Sequence, residues 1–173
     1  YYLRKRCTFL IVLLQFATPF PRGLVMPAFL ITFKPSSENP RKGWPLEELK
    51  KVVERFKTSG HVTEDWRFTN RKQVSVGDRV FLLLQGRRGP AIIGYGQVEG
   101  VPKKIDGSWR SPVRFQQILD PDSAVLLRRE ELRGIAESSR IWRTQVSGIQ
   151  IPDAVAQKLE QLVVGKPAVN VDV

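Results

Sequence analysis

Along the chain the apolar positions change their period several times, and each change marks an element. "AFLITF" (28–33) is an unbroken run of β-forming residues, stopped by the turn cluster "KPSSENP". "WPLEELKKVVERFK" then places apolar residues at 46, 49, 53 and 56, the spacing of one helix face. Pro45 suits its first turn and Gly60 its end. "HVTEDWRFTNRKQVSVGD" (61–78) mixes aromatic and polar residues without a clean period, which predicts a short strand and loop.

Beyond Asp78 the strand pattern dominates. "DRVFLLLQ" (78–85) reads as a buried strand, and the turn "GRRGP" leads into a second, "AIIGYGQVEG". Gly94 and Gly96 alternate inside that strand and predict a bulge or sharp bend of the kind small barrels need. "KKIDGSWR" carries an Asp-Gly hairpin turn, and "SPVRFQQIL" gives a further strand. "LRREELRG" predicts a short helix ended by Gly134. Pro152 and Asp153 open a last helix, "DAVAQKLEQLV", with Val155, Leu159 and Leu162 on one face. The sum is five to seven short strands with two flanking helices, an α+β fold curled into a compact barrel. No linker divides residues 26–165, so they form a single domain, and residues 166–173 are expected to be a frayed tail.

Residues 1–25 read differently. "YYLRKR" before "CTFLIVLLQF" has the outline of a secretory signal, but the apolar run is too short to span a bilayer and no clear cleavage site follows. Met26 opens the first strand. These residues are therefore read as upstream sequence or a poorly ordered extension. The expected location is cytoplasmic, with secretion the minor alternative and no membrane partner.

Composition narrows the function more than the fold. The 173 residues carry 28 Lys and Arg against 17 Asp and Glu, a net charge of +11, with a pI near 10.2. Losing Arg4, Lys5, Arg6 and Arg22 with the first segment leaves the remainder strongly basic. That balance favours an anionic partner, nucleic acid above all. One cysteine, Cys7, and one histidine, His61, cannot supply a tetrahedral Cys/His zinc site. His61 follows the glycine that ends a helix, a place for a solvated imidazole rather than a catalytic base. "GYGQVEG" has the wrong spacing for a dinucleotide fingerprint, and Asp120 and Asp122 flank Pro121 as turn residues. No catalytic residue, metal or cofactor is expected, and no enzyme.

A binding constellation remains. "SRIWRTQVSGIQIP" (139–152) sets Trp142 beside Thr144, Gln145 and Ser147, one indole among neutral hydrogen-bonding side chains. "DWRFTN" places Trp66, Phe68 and Asn70 among polar neighbours. Trp44 precedes a helix and either staples onto Val53 or presents its ring, while Trp109 reads as packing. Gln85 closes the "LLLQGRRG" edge, where Arg87 and Arg88 either decorate a turn or, with Arg143, contact phosphates.

Here the sequence resembles a known family. "DWRFTNRKQVSVGDRVFLLLQG", "GPAIIGYGQVEG", "PVRFQQILDP", "LLRREELRG" and "IWRTQVSGIQIPDAVAQKLEQL" follow the order and spacing of the EVE domain, a PUA-like module related to the YTH readers. The likeness spans residues 26–163 and is greatest to the modules fused to HNH endonucleases in modification-dependent restriction. It implies a PUA-like mixed β-barrel with flanking helices that accepts a modified base. By motif position, Trp66 and Trp142 would be walls, and Asn70, Thr144, Gln145 and Ser147 edge readers. Trp44 would be the aromatic before the first helix. Arg67 and Phe68 depart from the small residue the family often has after the Trp66 position. No HNH segment follows, so a nuclease partner would be a separate chain or a further C-terminal segment.

Elementary energetics agree. Flipping a base out of duplex costs a few kcal/mol, and stacking on an aromatic ring restores roughly 1–3 kcal/mol. Neutral amides and hydroxyls can read the base edge at a lower desolvation cost than charges, and a basic rim adds affinity through counterion release. The leading expectation is a non-catalytic reader of modified DNA such as 5-methylcytosine. The alternatives are a reader of modified RNA, or a protein-interaction or small-ligand domain in which the tryptophans only pack.

Overall fold

A computed structural model of the chain describes residues 26–35, 45–69, 71–135, 139–167 and 169–170. Its elements, in order, are β1 (Ala28–Phe33), α1 (Leu46–Ser59), β2 (Val62–Arg67), β3 (Arg79–Leu84), β4 (Ala91–Val98) and β5 (Lys103–Ile105). There follow β6 (Ser108–Ile118), β7 (Ala124–Val125), α2 (Arg129–Ile135), α3 (Ser139–Trp142), β8 (Ile149–Ile151), α4 (Asp153–Val163) and β9 (Val169–Asn170).

Seven strands make one mixed sheet in the order β2-β6-β4-β3-β1-β8, with β5 added to β6. β1 and β3 run parallel, and the other pairs in this sheet are antiparallel. Both central strands are buried on two faces, which is why "AFLITF" and "RVFLLL" show no polar alternation. Alternate residues feed two cores. Phe29, Ile31, Phe33, Val80, Leu82 and Leu84 enter a first core with Trp66, Phe68 and the buried face of α1. Leu30, Phe81 and Leu83 enter a second core with Trp142 and the inward residues of α2 and α4.

The register shifts opposite Gly94 and at Tyr95/Gly96 are the bend that the glycine alternation predicts. The sheet then closes on itself. β2 and β8 are its two edges, and the chain entering β8 bonds to the end of β2. Thr69 N–H donates to the Ser147 carbonyl at 3.0 Å, and the Ser147 hydroxyl donates to the Arg67 carbonyl at 2.9 Å. The same hydroxyl accepts from Thr32 N–H at 3.2 Å, and Gly148 N–H donates to the Leu30 carbonyl at 2.8 Å. Two residues thus join β1, β2 and β8, and the sheet becomes a barrel.

α1 ends as expected, with Gly60 in the left-handed region and its N–H on the Phe56 carbonyl. Several expectations are corrected. α2 runs past Gly134 to Ile135. The buried residues of α4 are Val155, Ala156, Leu159 and Val163, whereas Leu162 is 41% exposed. The i, i+7 spacing of Leu162 from Val155 misleads because Val163, eight residues on, lies nearer the core line. β8, with three residues, is too short to announce itself. Val169 and Asn170 pair with β7, through Val125↔Val169 and Ala124↔Asn170. Arg79, almost fully buried, ties α4 to the sheet: Nη1 reaches Glu160 at 3.1 Å while Nε and Nη2 donate to the Met26 carbonyl. Among the described residues no helix is long and apolar enough to cross a membrane.

Burial pushes the carboxyl of Asp78, beside Arg79, above the ordinary aspartate range, against the opposing pulls of Ser75 N–H and the Arg79 charge. A raised folded-state pKa means the associated stability is present in acid and is lost as pH rises through that value. Asp78→Asn keeps an acceptor for Ser75 N–H and cannot ionise. It should melt at or above the parent at pH 7, with the gap closing toward acid; a lower neutral-pH melting point would contradict this.

The closure at Gly148 is equally testable. Its φ is +77°, and a Cβ there would stand 2.6 Å from Phe68 Cα. Gly148→Ala combines the left-handed penalty of about 1–2 kcal/mol with overpacking of about 1–3 kcal/mol. Gly60, at φ +74° with open space around it, carries only the first cost. Chemical denaturation should therefore show Gly148→Ala clearly less stable than Gly60→Ala, and equal losses would mean the close approach is absent.

Candidate nucleic-acid interface

The closure also organises the residues singled out in the sequence. β2 alternates, so its last two positions diverge: Trp66 turns inward and Arg67 outward. Trp66 is 5% exposed and meets Phe115 edge-on, at a centroid separation of 5.9 Å. Phe68 is 1% exposed and packs edge-on against Phe29 at 5.8 Å. Both rings belong to the first core, onto which α1 packs. Trp44, just before α1, and Asn70, at the end of the β2 segment, lie outside the described residues.

Trp142 ends the short helix α3 and is 4% exposed, in the second core. It therefore packs in a different core from Trp66. Its indole N–H finds no acceptor among the described residues, nor does the buried side-chain amide nitrogen of Gln85 at the end of β3. A buried donor left unpaired costs about 1–3 kcal/mol, so both are departures from ordinary core chemistry.

The polar residues after Trp142 divide. Thr144 builds its own turn, its hydroxyl accepting from Val146 N–H and donating to the Val146 carbonyl, both at 3.2 Å. Ser147 spends its hydroxyl on the barrel closure. Gln145 is exposed, with only a long 3.5 Å contact to the Arg143 carbonyl. The closure thus brings Trp66, Thr144, Gln145 and Ser147 to one end of β2, while Trp142, just before the turn, lies in the other core.

The arginines divide as well. Arg88 contacts Asp122, which Lys50 also approaches at 3.1 Å. Arg87 and Arg143 are exposed and make no ion pair with a described carboxylate. Among the described residues no group of three or more His, Cys, Asp or Glu side chains gathers to hold a metal. In α2, burial works to raise the Glu131 carboxyl, but hydrogen bonds from Lys166 and the Arg128 N–H outweigh it and lower its pKa. That pair fastens the segment after α4 to α2.

Comparison with solved structures places this architecture. The human THYN1 protein in complex with 5-methylcytosine-containing DNA is 14% identical, covering 82% of this chain and 99% of its own, with a TM-score of 0.50. A hypothetical protein from Leishmania major is 14% identical over 79% of this chain and 93% of its own, with a TM-score of 0.48. The YTH domain of the Zygosaccharomyces rouxii MRB1 protein, in complex with N6-methyladenosine RNA, is 14% identical over 86% and 96%, with a TM-score of 0.46. No family model matches the sequence, and no curated protein matches it. Likeness to THYN1 at this identity is one of fold: the chain is a single α+β domain, a PUA-like mixed barrel with flanking helices.

Placement in the second core makes a specific demand on Trp142. Trp142→Ala should cost about 3–5 kcal/mol of folding stability. Trp142→Phe keeps most of the volume, removes the unpaired donor, and should cost less than about 1.5 kcal/mol. Thermal and denaturant melts of the two variants measure this. Equal stability of Trp142→Ala and the parent would show that the ring does not pack as described.

Proposed function

We propose that this protein is a non-catalytic reader of a modified base in nucleic acid, with modified cytosine in DNA the favoured target. One juxtaposition carries the reading. The last residues of β2 present a flat indole inside the barrel and a cation outside, where the Thr144–Ser147 turn is bonded to the strand. Stacking, edge reading and phosphate attraction need those three kinds of group together.

In this reading Trp66 is the stacking platform, Gln145 reads the base edge with Asn70, and Thr144 shapes the turn that carries Gln145. Trp44 is a further aromatic candidate for the same site. Gln85 contributes its unpaired amide from the end of β3. Trp142 is a positioning residue that holds the turn from the second core, while Phe68 and Ser147 keep the barrel closed beneath it. Arg143 and Arg87 add non-specific attraction. The fold it shares with a protein solved on 5-methylcytosine DNA supports the choice of ligand. Its motifs resemble the modules fused to HNH endonucleases, which supports a place in modification-dependent restriction. The cutting activity would then belong to a separate chain or segment.

Trp66→Leu tests the platform, because leucine keeps the site apolar but removes the flat face. Paired titrations with a duplex carrying one 5-methylcytosine and its unmodified twin should show the preference falling by the 1–3 kcal/mol that base stacking supplies, roughly 5- to 150-fold. Binding to the unmodified duplex should barely change. A folded Trp66→Leu protein that keeps its preference would remove Trp66 from the site. If the parent prefers an N6-methyladenosine RNA strand to both duplexes, the ligand is RNA.

A further inference from the structure

The outward face beside the barrel closure holds a feature that stability does not explain. Strand register sets Arg67 of β2 directly opposite Arg110 of β6, and Arg110 directly opposite Lys103 of β5. Directly paired residues point to the same face with Cβ atoms about 4.5–5.5 Å apart. Three cations therefore stand in one row across three adjacent strands. Like charges so placed are mutually destabilising.

Carboxylates could relieve the row, and they do not. Asp65 shares the outward face, two residues from Arg67, and Asp106 sits in the β5–β6 turn, yet neither makes an ion pair with the row. Glu64 points to the other face and pairs with Arg55 at 2.5 Å, and Glu99 serves Arg114 and Thr63 further along β6. Arg110 has in addition a buried Nε that finds no acceptor among the described residues. Arg67 and Lys103 are exposed and make no ion pair with a described carboxylate.

We propose that Lys103, Arg110 and Arg67 form a track for the phosphodiester backbone of duplex DNA, beside the base-reading end of the barrel. This rests on the nucleic-acid reading above, and places the main backbone contact on a sheet face, with Arg87 and Arg143 adding to it. Neighbouring strands lie about 4.8 Å apart, so the row spans about 10 Å. A DNA strand advances about 3.4 Å per phosphate along the helix axis, so the row can meet two or three phosphates of one strand. The Arg67 carbonyl is the acceptor of the Ser147 hydroxyl, so the track ends at the closure where a flipped base would enter. Phosphate oxygens would neutralise the repulsion and supply an acceptor for the guanidinium of Arg110.

The test compares the parent with the triple variant Arg67→Gln, Arg110→Gln, Lys103→Gln, and with Arg114→Gln as a control cation that already has a carboxylate partner. Titrations use the 5-methylcytosine duplex and its unmodified twin over a range of salt. Each lost phosphate contact should lower the magnitude of the log–log salt slope by about 0.9 and affinity at physiological salt about fivefold. The triple variant should therefore lose two to three units of slope and about 100-fold in affinity for both duplexes alike, while melting no lower than the parent. Arg114→Gln should change little. An unchanged slope in the triple variant overturns the track even if the modified-base preference stands. Loss confined to the modified duplex overturns it too, since the row would then read the base. A parent that binds both duplexes equally, with a slope the triple variant still reduces, overturns the reader and leaves the track. A parent that binds neither overturns both.

Discussion

The arrangement at the end of β2 depends on a barrel closed by two residues. Ser147 offers a hydroxyl that donates to one strand and accepts from another, and its carbonyl takes a third bond from Thr69. Gly148 follows in a left-handed conformation that lets the chain lie against Phe68. A larger residue at 148 would hold β8 away from β2. Without the closure, the end of β2 would be an open edge with unpaired backbone groups. Trp66 and Arg67 would then have no fixed relation to the Thr144–Gln145 turn. Side chains that share one ligand need a common rigid frame, and here the frame is this seam.

The seam also divides labour along one short sequence. In "IWRTQVSGI" Trp142 anchors from the second core, Thr144 shapes the turn, Gln145 faces outward, and Ser147 with Gly148 closes the barrel. On the strand side, β2 alternates indole inward and guanidinium outward. The inner face carries the indole and the outer face offers charge, and the two lie one residue apart. Such a division suits a ligand that is itself divided, with a flat base on one side and an anionic backbone on the other.

Much of the fold was legible in the sequence because its signals are local. The helical spacing of Leu46, Leu49, Val53 and Phe56, the left-handed stop at Gly60 and the Asp-Gly turn at 106–107 need no tertiary information. The uninterrupted apolar runs of β1 and β3 announce burial on two faces, and Gly94 and Gly96 announce a bend. What stayed hidden was set by long-range geometry. Ser147 read as a base contact because its chemistry suits one, and only the approach of β2 shows its hydroxyl to be occupied. Trp142 and Trp66 share polar surroundings in sequence, but strand parity and the course of α3 send them to different cores. The cationic row was invisible for the same reason: Arg67, Arg110 and Lys103 become neighbours only through register. Their signal was present only as net charge.

The most direct test of the account is whether the protein takes a base out of the helix. A duplex carrying one 5-methylcytosine with 2-aminopurine as its immediate neighbour reports loss of stacking as a rise in fluorescence. Saturating protein should raise that fluorescence, and the unmodified twin, bound at the same occupancy, should show little change. Full occupancy of the modified duplex with no rise would mean that the base stays stacked, and the account of reading by extrusion would be wrong.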